Sequence, residues 1–238
     1  MIAIPRSAIR VEIVMMAIET DIKRVLLVDA HPILRDGVAL IIRDDPRLEV
    51  SGRVGNENEA IEAIEQDRPD IVVAGLMLGE GGGMELLRKL HERWPELPVL
   101  ILSMHDEVLH AERVLRTGAR GYVMKQEPTQ TVLAAIHKVL RGEIYLSESM
   151  ASRLLVKLAG GRSPEDSANS LGRLSDRELQ VFEMIGRGEP PRDIARHLGL
   201  SVKTVDAHRE RIKEKLGVKS GNELMRYAVS YQMNNPIA

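Results

Sequence analysis

Between residues 23 and 142 the chain repeats one pattern five times: a short aliphatic run, then a segment with helical spacing. The runs are Val25–Val28, Leu48–Val54, Ile71–Ala74, Val99–Leu102 and Gly121–Met124. They are rich in Val, Ile and Leu without polar alternation, as strands buried on both faces require. Between them Leu34, Val38, Ile41 and Ile42 share one helical face, as do Leu87, Leu90 and Trp94, and Val132, Ile136, Val139 and Leu140. Five such β-α units predict an α/β domain with a doubly wound, five-stranded parallel sheet. Its working site is expected at the carboxyl ends of the strands. With aromatics at only 3% of 238 residues, the core has to be aliphatic.

The pattern stops after Gly142. Residues 143–172 read as a linker. It carries one short helix, about Ser149 to Ala159, and then a small, polar run from Gly160 to Ser170. Residues 173–238 show no strand pattern, and four helices fit. Ser175 with Glu178 has capping-box spacing. Pro190 and Pro191 open the second helix, Ser201 caps the third and Gly217 ends it. The fourth runs from about Gly221 to Met233, with Leu224, Tyr227, Ala228 and Tyr231 on one face. Residues 1–22 read as a leader, interrupted by Arg6, Arg10 and Glu12, with Met15 or Met16 as an alternative start. The leader lacks the continuous apolar stretch of a signal peptide. A membrane span is not expected, and the reading is cytoplasmic. The absence of cysteine excludes disulfides, thiolate metal sites and a Cys nucleophile.

Charge separates the two parts. Residues 173–238 hold 12 basic and 9 acidic residues, a net of +3, and residues 1–172 hold 21 and 26, a net of −5. A mildly basic helical domain thus follows an acidic α/β domain. Within the basic part, Ile194, Ala195 and Leu198 give one helix an apolar face, and Gly199 makes a turn. Val205, Ile212 and Leu216 then seat a second helix. A helix of some 15 residues is about 22 Å long and fits the major groove. Periodicity alone leaves DNA binding and a plain charged helical bundle equally open.

A resemblance goes further. Leu174–Glu178, Ile194–Leu198, Ser201–His208 and Ile212–Val218 are similar to the LuxR-type helix-turn-helix of NarL/FixJ-family response regulators. This resemblance implies a four-helix DNA-binding domain whose third helix enters the major groove and whose fourth helps dimerisation. Carried over by position, Asp206, Ala207 and Glu210 are base-facing, and Lys203, Thr204, Arg209 and Lys213 are phosphate or flanking contacts. A carboxylate accepts from cytosine N4, and Ala touches a thymine methyl.

The segment from Arg24 to Lys125 resembles the receiver domain of the same family, with departures. The family's pattern places an acidic pair after strand 1 and a phosphoacceptor Asp after strand 3. It also places a hydroxyl after strand 4 and a Lys after strand 5. Here Asp29 matches the first acid, but Ala30 stands at the second, and Gly75 occupies the acceptor position. Ser103 and Lys125 remain, and Tyr122 holds the place of the aromatic switch residue. The resemblance therefore implies no aspartyl phosphate, no tight Mg²⁺ site and no cofactor. Lys125 is expected to pair with Asp29. Asp70 is expected to lie at the wrong end of its strand, and Glu80 is the nearest acid that could compensate. His31, His91, His105, His110 and His137 show no metal-ligand clustering, and catalytic motifs are absent, so an enzyme is not expected. The expected partner is double-stranded DNA, bound by a homodimer. Two alternatives remain: a heterodimer with another response regulator, and a small ligand sensed in the vacated pocket.

Overall fold

The computed structural model describes residues 22–78, 82–104, 107–159 and 170–234. Most of the leader (1–21), Gly79–Gly81, His105, Asp106 and the small, polar run 160–169 lie outside them, as does Glu80 with the role expected of it.

Five parallel strands form one sheet, β1 (Lys23–Val28), β2 (Leu48–Val54), β3 (Ile71–Ala74), β4 (Val99–Ser103) and β5 (Gly121–Met124), in the order β2-β1-β3-β4-β5. Helices α1 (Pro32–Arg43), α2 (Glu57–Gln66), α3 (Gly82–Arg93), α4 (Glu107–Thr117) and α5 (Thr129–Leu140) connect and follow them. Burial is highest in the middle of this order. All four residues of β3 and all five of β4 are buried, so these strands must be central. In β2 only Leu48 is buried, as suits an edge. Alternation along each strand sends side chains to two cores. Leu26, Val28, Val72, Ala74 and Ile101 pack with α2, α3 and α4, and Val25, Leu27, Val73, Leu100 and Leu102 pack with α1 and α5.

Local signals set the helix starts. Pro32 opens α1, where a missing N–H costs nothing. Asn56 caps α2 by accepting from the Glu59 N–H at 3.0 Å. At the far side, the buried carboxylate of Asp45 binds both Arg47 (2.9 Å) and His137 of α5 (2.6 Å). Arg47 and then His137 hold that carboxyl well below the usual range against the opposing effect of burial.

Helix α6 (Glu148–Leu158) falls where a short linker helix is expected, and Met150 anchors it in the sheet's core. After a 3₁₀ turn (Ser170–Arg173) come α7 (Asp176–Gly186), α8 (Pro191–His197), α9 (Val202–Leu216) and α10 (Gly221–Asn234). The capping box at Ser175 and Glu178 is complete. Gly217 ends α9 in the left-handed region, with φ +69°. Phe182 centres this bundle, fully buried, with Tyr227 and Tyr231 ring centroids at 5.7 and 6.0 Å.

Phe182→Ala should therefore cost the helical bundle about 3–5 kcal/mol. Urea denaturation followed by circular dichroism checks this. A loss below about 1 kcal/mol would mean that the bundle is not organised on that ring.

Candidate receiver pocket and DNA-reading helix

The parallel strand order brings the ends of β1, β3, β4 and β5 side by side. Asp29 follows β1, Gly75 follows β3, Ser103 ends β4 and Lys125 follows β5. Backbone bonds hold this rim together: the Gly75 N–H donates to the Val28 carbonyl and the Lys125 N–H to the Ser103 carbonyl, both at 2.8 Å. The positions singled out in sequence as receiver remnants thus converge, with Ala30 beside Asp29 and exposed. Tyr122 is one position inside β5 and fully buried. Asp70 stands at the opposite end of the sheet, where it accepts from the Arg24 N–H at 2.8 Å.

Asp29 dominates the rim. Its side chain is 8% exposed, and Oδ2 accepts from Lys125 Nζ at 2.6 Å. Oδ1 lies 2.9 Å from both the His31 backbone N–H and His31 Nδ1. A methyl group at Gly75 would lie 2.4 Å from Asp29 Oδ2. The carboxylate of Asp29 therefore fills the space in which a side chain at position 75 would begin. From the other side α3 closes in. Gly82 adopts φ +75°, and a methyl at Gly83 would sit 2.1 Å from the Gly75 carbonyl oxygen. Glycine is required at both for α3 to start this close to β3.

These residues do not fit a magnesium ion. Mg²⁺ needs oxygen donors in octahedral array. Ala30 and Gly75 offer no side-chain oxygen, and both oxygens of Asp29 already face N–H donors.

On α9, Val205 and Ile212 are buried against the bundle, and Lys203, Thr204, Asp206, Ala207 and Glu210 are exposed. Ser201 caps the helix, accepting from the Thr204 N–H at 3.1 Å, and the Thr204 hydroxyl also meets Ser201 Oγ at 2.8 Å. The two other basic positions are half-buried and paired one turn apart: Arg209 with Asp206 at 3.5 Å and Lys213 with Glu210 at 2.8 Å. His208 faces inward; burial, and then Arg211, push its pKa below the ordinary value. Glu178 of α7 takes Lys215 of α9 at 2.5 Å. Burial opposes its ionisation, yet Lys215 and the Ser175 donors outweigh it, so its carboxyl stays below the usual range.

The bundle also touches the sheet domain in ways that sequence spacing does not suggest. His110 of α4 and Glu183 of α7 meet at 2.9 Å, both buried. Arg113 reaches Asp176 at 2.9 Å and the Leu171 carbonyl at 3.3 Å. Leu109 lies in the apolar cluster of the bundle. Helix α7 thus sits over the rim that carries Asp29 and Lys125. Those contacts join residues more than 50 apart in sequence, with no motif in either segment.

Fold, rim and helix-turn-helix together define a regulator with a receiver and a DNA-binding output domain. The chain belongs to the response regulators: the family "Response regulator receiver domain" matches residues 25–137, and "Bacterial regulatory proteins, luxR family" matches residues 172–228. It is 33% identical over 214 residues to the oxygen regulatory protein NreC of Staphylococcus aureus (strain JH9), covering 88% of this chain and 98% of that one. With NreC of Staphylococcus haemolyticus it shares 32% over 213 residues, with the same coverage. Among solved structures, RcsB of Salmonella enterica bound to a promoter in the presence of a phosphomimetic has a similar fold, with a TM-score of 0.65 at 24% identity. That match covers 88% of this chain and 99% of the other. The chain is thus a DNA-binding transcription regulator of the LuxR family, and not an enzyme.

If the Asp29 carboxylate occupies the space at position 75, Gly75→Ala should destabilise the fold by on the order of 1–3 kcal/mol through overpacking. In an Asp29→Ala background the same change should cost less, because the obstructing oxygen is gone. Equal costs in both backgrounds, measured by denaturant titration, would place the carboxylate elsewhere.

Proposed function

We propose that this regulator acts without aspartyl phosphorylation, in the cytoplasm, as a sequence-specific homodimer on double-stranded DNA. The observation that carries the reading is the rim itself. Gly75 offers no nucleophile, Asp29 lies within the volume that an acceptor side chain would need, and both its oxygens are engaged. A receiver normally changes state when a phosphoryl group binds one conformation better than another. Here the Lys125 ammonium is already paired with Asp29 at 2.6 Å, so the rim holds one arrangement without phosphate.

In this reading residues 23–142 are the receiver, 143–172 the connection, 173–238 the DNA-binding domain and 1–22 a leader. Lys203 and Thr204, at the N-terminus of α9, meet phosphate with the help of the free N–H groups of the first turn. Asp206, Ala207 and Glu210 face base edges. The Asp206–Arg209 and Glu210–Lys213 pairs offset the repulsion between those carboxylates and the backbone, and leave the acids oriented. One helix reads too few base pairs for selectivity, so two copies bind half-sites about 34–36 Å apart.

Selection of bound oligonucleotides from random DNA, with untreated protein, is the principal test. A symmetric enriched motif is expected, unchanged after incubation with acetyl phosphate and Mg²⁺, with no gain in protein mass. A phosphoryl adduct on an aspartate would refute the phosphate-independent reading. Failure to enrich any motif would refute the assigned DNA contacts.

The contacts separate by mutation. Lys203→Ala should weaken all sequences alike and shallow the salt dependence by roughly 0.9 log units per log unit of salt. Ala207→Arg should alter preference at one base position. An equal effect of Ala207→Arg on all sequences, in competition binding, would mean that α9 is docked differently.

A further inference from the structure

The rim and the underside of the DNA-binding domain border a half-open cavity of about 350 Å³. Its receiver wall includes Ala30, Met77, Ser103 and Lys125, and its opposite wall includes Met184, Arg187, Glu189 and His197. The volume lies at the small end of the range of about 300–1,000 Å³ found for ligand sites. The lining is mixed in a definite way. Met77, Met104 and Met184, with Leu76 and Ala30, give an apolar middle of soft, adaptable surface. Two cationic groups line it, Lys125 on the receiver wall and Arg187, on the turn after α7, on the opposite wall.

The two cations differ in how far they are satisfied. Lys125 is bound to Asp29 at 2.6 Å and is 9% exposed, but an ammonium carries three donors and Asp29 takes one. Arg187 meets its acid, Glu189, only at 4.0 Å and is 32% exposed. Glu189 is instead held by His197 Nδ1 at 2.8 Å. A guanidinium with five donors and one distant carboxylate is ready to grip an oxyanion in bidentate fashion. Ala30 matters as well. A carboxylate there would have repelled an anion, and its methyl leaves both room and neutrality.

We propose that this cavity binds a small amphipathic anion, a carboxylate or phosphate monoester on a short apolar body. Arg187 holds the charge, Lys125 supports it and the methionines cover the body. The site extends the reading above, since a phosphoaspartate would claim part of the same space. Its walls belong to two domains already joined by His110–Glu183 and Arg113–Asp176. A ligand touching both walls favours the docked arrangement by its own differential affinity for that arrangement.

Isothermal titration of the full-length protein tests this with three probes: benzoate, phenyl phosphate and the neutral benzyl alcohol. Saturable binding is expected for at least one anion, and whichever of the two binds more tightly identifies the headgroup. Benzyl alcohol should bind at least about tenfold more weakly. Arg187→Gln, on an exposed turn, should weaken anion binding about tenfold, and Ala30→Leu should weaken it by filling the cavity from the receiver side. Three results would overturn the site: no saturable anion binding at millimolar concentration, equal affinity for benzyl alcohol, or indifference to both substitutions. Motif selection on the same preparation keeps the two readings apart. Protein that enriches a DNA motif but binds no anion refutes the ligand site alone, and protein that binds anion but enriches no motif refutes the assigned DNA contacts alone.

Discussion

One carboxylate organises the signalling half of this protein. Asp29 is nearly buried at the end of β1, where an isolated charge would be strongly disfavoured, and it is kept there by Lys125 and His31. Removing one partner of such a pair exposes the full desolvation cost of the other, which is why a buried pair defines an arrangement even where it adds little net stability. Gly75 allows the carboxylate to lie where it does, and Gly82 and Gly83 let α3 close over the same ground. The rim is thus filled by the protein's own charges.

Above that rim the DNA-binding domain is docked through α7. Its contact combines one buried polar pair, His110–Glu183, one half-exposed ion pair, Arg113–Asp176, and the apolar Leu109. The polar groups fix orientation, and the apolar residue contributes burial. Lys203, Thr204, Asp206, Ala207 and Glu210 of α9 stay exposed in this arrangement. Docking on the receiver thus falls to α7 and leaves these positions of α9 uncovered.

The exposed carboxylates of α9 are partly offset within the helix itself. Asp206 and Glu210 each have a basic partner one turn later, so the local field along this side of α9 is closer to neutral than a count of exposed carboxylates implies.

Much of this architecture is written locally. Doubly buried strands, helical apolar spacing, the Ser175 capping box and the glycine that ends α9 act over a few residues, so their outcome is visible in the chain itself. The convergence of Asp29, Gly75, Ser103 and Lys125 also follows, because a parallel sheet places strand ends together. Tertiary structure alone decided the rest. That Asp29 occupies the space at position 75 depends on the distance between neighbouring strand ends and on Lys125 beyond them. That Arg187, Glu189 and His197 face the rim depends on how two domains meet, through His110, Arg113 and Leu109 on a helix with no motif of its own. Spacing encodes which face a residue takes on its own element, and it carries no record of which distant surface that face will meet.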